Sequence, residues 1–137
     1  DGGYDLTTVD NIHGLMMPLR EHVVMQTRFS DNPQLFRDAS PMFRVHRDAP
    51  PFFVLHGDND AVVPAKQALA FCTALRDVGA GTVAHAAIPN AHHAFDTIAT
   101  LRCQLAAEAV AAFLGIAYGR HAVARARSKR LAVSSAS

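Results

Sequence analysis

Tryptophan is absent from this sequence, and cysteine and tyrosine occur twice each. Two thiols, Cys72 and Cys103, make neither a disulfide framework nor a metal motif. Both fall inside helical patterns and read as small buried hydrophobes. No histidine or cysteine spacing of the zinc kind occurs, so no metal site is expected. There is no internal repeat, and no low-complexity stretch before the last residues. No uninterrupted apolar run reaches the roughly 18 residues of a membrane span. The best candidate, 105–118, is broken by Glu108 and Gly115. The opening DGGYDLTTVD is acidic and has no basic-then-apolar leader pattern of its own, which leaves localisation open. Acidic residues are also missing from the end of the chain. From Ala117 onward there are five cations, Arg120, Arg125, Arg127, Lys129 and Arg130, and no acid. The net charge of +1 therefore joins an acidic body to a basic tail. Such a tail reads first as solvated and partly disordered. A membrane surface remains open as its partner, and nucleic acid is not expected.

What is present is the composition of a globular protein: 137 residues, 50% hydrophobic and 18% charged. Residues 1–50 read as an irregular or helical connection. Asp10 could cap a helix over 11–26, weakened by Gly14 and Pro18. A short helical piece is expected over 33–38. Regularity begins at PPFFVLHG, where the apolar run 52–55 is fenced by Pro50, Pro51 and Gly57. That is the pattern of a strand buried on both faces, as in a parallel sheet. Pro64 sits at a first-turn position, and 65–78 places Ala68, Phe71, Cys72 and Leu75 on one helical face. Gly79 and Gly81 end that helix. Residues 82–88 read as a second strand. A last helix is expected over 94–114, stopped by Gly115. Strand, helix, strand, helix predicts an α/β fold with parallel strands covered by helices. Two strands leave both sheet edges open, so the sheet is expected to be incomplete in this chain. The expected organisation is an irregular or helical connection or cap-side segment over 1–50, an α/β part with the acid and histidine loops over 51–115 and a basic, flexible tail over 116–137.

Two loops carry chemistry. HGDNDAVVP follows the first strand, and PNAHHAFD follows the second. Loops at the carboxyl ends of parallel strands are where open α/β sheets form sites. The first loop offers two competing acids, Asp58 and Asp60. The second offers His92 and His93. Imidazole is the usual general base near neutral pH, and a carboxylate on its Nδ1–H fixes the tautomer and stabilises the imidazolium. Asp58 also reads as a structural carboxylate bonding loop amides. His56 reads as a packing or hydrogen-bonding group at the strand end, and His85 as a mid-strand histidine. His13, His22, His46 and His121 carry no motif. Met16, Met17 and Met25 suit ordinary packing or an adaptable apolar pocket.

These motifs resemble the C-terminal part of α/β-hydrolase carboxylesterases and lipases, close to the hormone-sensitive-lipase-like and feruloyl-esterase-like groups. In those families an HGxxDxxVP segment carries the triad acid, which implies Asp60 in Asp60-Ala61-Val62-Val63-Pro64. An HxF turn carries the triad histidine, which implies His93 in His93-Ala94-Phe95. Acid before histidine is that fold's chain order, with the serine before both. ASPMFRV (39–45) is similar to the family's SP element ahead of the acid strand, and GGYDLT (2–7) to the loop after the strand that follows the nucleophile region, with Asp5 near the site mouth by family position. The resemblance runs to about Gly115.

One departure matters. The nucleophile elbow G-x-S-x-G is absent, and so is the HGGG-type oxyanion loop, since His13-Gly14 is followed by Leu15 and Met16. The six serines, Ser30, Ser40, Ser128, Ser134, Ser135 and Ser137, have no elbow setting. The resemblance therefore implies a serine carboxylic-ester hydrolase in which this chain supplies Asp60 and His93, while an upstream segment supplies the serine. The substrate would be a small-molecule ester, no cofactor is needed, and this chain alone is expected to be inactive. A prolyl-oligopeptidase-type peptidase ends in the same two loops and is the alternative. A non-catalytic hydrolase-derived binding module using the basic tail is a further one.

Overall fold

A computed structural model describes Tyr4, Leu6 and residues 16–134. Asp5, Asp10, His13 and most of the GGYDLT segment lie outside the described residues, as do the side chains of Met16 and Met17. The chain divides into two compact units, Asp1–Phe95 and Asp96–Ser137.

Among the described residues of the first unit, the first helix is α1 (Met16–Leu19), which continues as a π-helical turn over Arg20–Val24. Helix α2 (Pro33–Ala39) has proline in its first turn and Asn32 as its cap, whose side chain accepts the Leu35 N–H at 3.2 Å. A 3-10 turn over Pro41–Arg44 leads toward strand β1 (Phe52–Gly57). Helix α3 (Ala65–Asp77) follows, then strand β2 (Val83–Ile88). The two strands pair in parallel, in register from Phe52 opposite Val83 to Gly57 opposite Ile88. This is the β-α-β unit that the sequence pattern predicts.

Pro64 is the N-cap of helix α3, whose buried side chains are Ala68, Phe71, Cys72 and Leu75, the face expected from their spacing. It stops at Gly79, which takes φ +74°. There the Gly79 N–H donates to Arg76 O at 2.9 Å and the Ala80 N–H to Leu75 O at 3.0 Å. That pair of bonds is the Schellman ending, which favours glycine because a Cβ is costly at positive φ. The buried face of α3 packs with Val54 and Ala80 into one apolar cluster, joined by Phe52 and Val83. The Phe71 ring meets Phe52 edge-on, with centroids 5.5 Å apart, and stacks on Tyr4 at 5.0 Å. Cys72 is fully buried within this core, and its burial raises the thiol pKa against the opposing charge of Arg76.

The second unit is helix α4 (Leu101–Ser134). It differs from the expected helix at both ends. It begins later, because Ala94 adopts φ 55° and cannot start a right-handed helix. Thr100 caps it instead, its Oγ1 accepting the Cys103 N–H at 3.2 Å. It also continues through Gly115 and Gly119 to Ser134, so residues 116–134 are helical rather than a frayed tail. Each interior glycine costs about 1 kcal/mol, which the alanine, arginine, leucine and lysine around them offset by their high helix propensity. By length and composition alone Leu101–Val133 could cross a bilayer, its most apolar 18-residue window having a mean hydropathy of 1.3. Glu108 falls near the middle of that apolar stretch, and a charged side chain at mid-bilayer costs roughly 2.5–3.5 kcal/mol.

Candidate functional site

Because β1 and β2 are adjacent, parallel and in register, they end side by side at Gly57 and Ile88. The loops leaving them are the acid loop and the histidine loop. Parallel pairing thus converts two motifs far apart in sequence into one site at the carboxyl edge of the sheet.

Asp60 is held on its own loop before it meets any histidine. Its Oδ1 accepts the backbone N–H groups of Val62 and Val63, both at 2.8 Å. That leaves Oδ2 to face the second loop, where His93 Nδ1–H donates to it at 3.0 Å. The Asp60 side chain is 6% exposed and that of His93 is 50% exposed. Burial acts to raise the Asp60 pKa, but the Val63 amide, the His93 ring and the Val62 amide outweigh it. The net effect holds the carboxyl below its usual value of 3.8, so it is an anion at neutral pH. An anion on Nδ1 fixes the proton there and leaves Nε2 with its lone pair, the form required of a general base.

His56 is closer to this centre than its sequence setting implies. Its Nε2–H donates to Val63 O at 2.7 Å and lies 3.5 Å from Asp60 Oδ2. It closes the acid loop onto the end of β1. Asp58, the competing acid, does not share the histidine: its Oδ1 accepts the Asn90 N–H at 2.6 Å. His92 is exposed, and its ring nitrogens lie 3.4 Å from Asn59 Nδ2. His85 stays mid-strand with Nε2 buried. Burial, then the charge of Arg76 and His56, lowers its pKa and keeps it neutral. Three serine hydroxyls have local partners: Ser30 bonds Asp31, Ser40 bonds Phe36 O and Ser128 bonds Ala124 O. No group of His, Cys, Asp and Glu suited to a metal ion occurs among the described residues.

Sequence reasoning missed how closely the two loops touch. A Cβ on Gly57 would lie 2.3 Å from Ala91 O, so the histidine turn rests directly on the glycine. Asn90 and Ala94, either side of the two histidines, have φ 53° and 55°. Glycine before the acid pair and asparagine at the turn were the available signals, but neither names its partner.

Comparison with known proteins places these residues in context. The family model described as the prolyl oligopeptidase family matches residues 1–117. Esterase LipQ of Mycobacterium tuberculosis is 56% identical over 134 residues, covering 98% of this chain and 31% of the relative. The probable carboxylic ester hydrolase LipM of the same organism is 43% identical over 118 residues, 85% of this chain and 27% of the relative. Esterase LipC, also from that organism, is 45% identical over 94 residues, 69% of this chain and 23% of the relative. The chain spans less than a third of the length of these relatives.

Proposed function

The chain belongs to the prolyl oligopeptidase family of α/β-hydrolases, and on that premise we propose that it supplies the acid and histidine of a serine carboxylesterase. The observation that carries this reading is the 3.0 Å contact from His93 Nδ1 to Asp60 Oδ2, with the other carboxylate oxygen already held by two loop amides. The nucleophilic serine would come from residues outside this chain. His93 Nε2 takes the proton of that serine as its oxygen attacks the ester carbonyl. Asp60 stabilises the resulting imidazolium. The same proton then goes to the departing alcohol, and water repeats the cycle on the acyl-enzyme. No step calls on a cofactor. The names of the three relatives support an ester as the substrate class.

The test is a fluorophosphonate probe on the complete polypeptide that carries this segment, read by intact and peptide mass spectrometry. One adduct on a serine outside residues 1–137, lost in H93A, is the expected result. An adduct on Ser30, Ser40 or Ser128 would overturn it.

The family description favours a second reading, a peptidase using the same pair. A peptide p-nitroanilide turned over faster than a p-nitrophenyl ester would select it.

A further inference from the structure

His93 is half exposed, and its ring contact is the bond to Asp60. It also sits on a turn with two non-glycine residues at positive φ, Asn90 and Ala94. Residues in that region cost energy and persist only where surrounding contacts hold them. A loop of this kind, left to itself, would let the imidazole drift from the carboxylate.

The structure contains a tie that prevents this, and it comes from the acid loop. Asp58 Oδ1 accepts the Asn90 N–H at 2.6 Å, a charge-assisted bond. The next residue continues it: the Asn59 N–H donates to Ala91 O at 3.1 Å. Gly57 lets the turn approach this closely. Each residue of Gly57-Asp58-Asn59-Asp60 therefore acts on the histidine turn: one admits it, two tie its backbone, and the last bonds the ring.

We propose that Asp58 is a positioning residue for the His93 base, holding the histidine turn at the distance where Asp60 can orient the ring. The carboxylate does not touch substrate or share a proton with His93. It sets the register between the two loops. The inference rests on the esterase reading above, and extends it to a residue outside the acid–histidine pair.

The experiment compares D58A and D58N in the complete polypeptide. The D58N side chain keeps a carbonyl oxygen that can accept the Asn90 N–H, and alanine does not. Misplacement of a catalytic group by about 1 Å costs up to roughly 100-fold, so D58A is expected to lose roughly 10- to 100-fold in kcat with KM unchanged. D58N is expected to recover most of that loss. The downfield proton resonance of His93 Nδ1–H should broaden or vanish in D58A and persist in D58N, which a merely structural role would not produce. If D58A does not fold, D58S replaces it, because its shorter side chain does not reach Asn90. A D58A enzyme with kcat within twofold of wild type overturns the proposal, and so does a D58N enzyme as impaired as D58A. H93A is measured alongside. Activity lost in H93A but retained in D58A defeats this inference alone, whereas activity surviving H93A defeats the esterase reading with it.

Discussion

Replacing Asp60 with asparagine should nearly abolish ester hydrolysis while leaving the loop folded, and the structure says why. Oδ1 accepts two backbone N–H groups, from Val62 and Val63, each at 2.8 Å. An amide NH2 cannot accept a hydrogen bond. The asparagine of D60N must therefore place its carbonyl oxygen toward those amides and its NH2 toward His93. A donor now faces Nδ1, so the ring proton moves to Nε2, the nitrogen that must accept the serine proton. The comparable acid-to-amide change in a serine–histidine–aspartate triad costs about 10,000-fold in kcat. At 1.36 kcal/mol per decade that is about 5.5 kcal/mol of barrier. Stability should fall by only about 2 kcal/mol, the difference between charged and neutral hydrogen bonds at this site. D60A is a poorer probe, because it leaves both valine amides without an acceptor. The assay is steady-state hydrolysis of an aryl ester by the complete polypeptide, with denaturant unfolding measured in parallel. A D60N enzyme retaining kcat within about tenfold of wild type would refute the tautomer argument.

Three further outcomes follow from the same geometry. The Asp60 pKa is lowered on folding, so its contribution to stability is complete above the usual value of 3.8 and is lost as pH falls through the folded value. Denaturation midpoints of wild type and D60N should therefore converge below that pH, and a constant gap down to pH 2 would contradict it. In G57A the new methyl would meet Ala91 backbone at 2.3 Å, so the variant should lose about 1–3 kcal/mol together with most of its activity, read by melting temperature and kcat. Removing residues 120–137 takes five cations from the chain end. Ester hydrolysis should be unchanged, and retention on vesicles of anionic lipid should fall, with the difference disappearing at high salt.

Much of the fold is legible locally. Spacing alone places Ala68, Phe71, Cys72 and Leu75 on the buried face of α3, and all four are buried. The two strands and the glycine that ends α3 follow from short-range rules as well. The long helix is where local rules fail. Gly115 reads as a stop, but a single glycine is a modest cost that helix-forming neighbours outweigh, and Ala94 looks helical until its φ of 55° is seen.

By itself, the sequence determined which chemical groups are present and which loops carry them. It supplied two candidate acids and two candidate histidines, and strands that deliver both loops to one edge. Tertiary structure alone decided how they pair. Asp58 and Asp60 are chemically identical and two residues apart, yet one bonds the backbone of Asn90 and the other the ring of His93. The physical reason is that a hydrogen bond depends on distance and direction between atoms from different strands. Those are set by the parallel register of β1 and β2 and by the contact of Gly57 with Ala91, and no local pattern of residue types contains them.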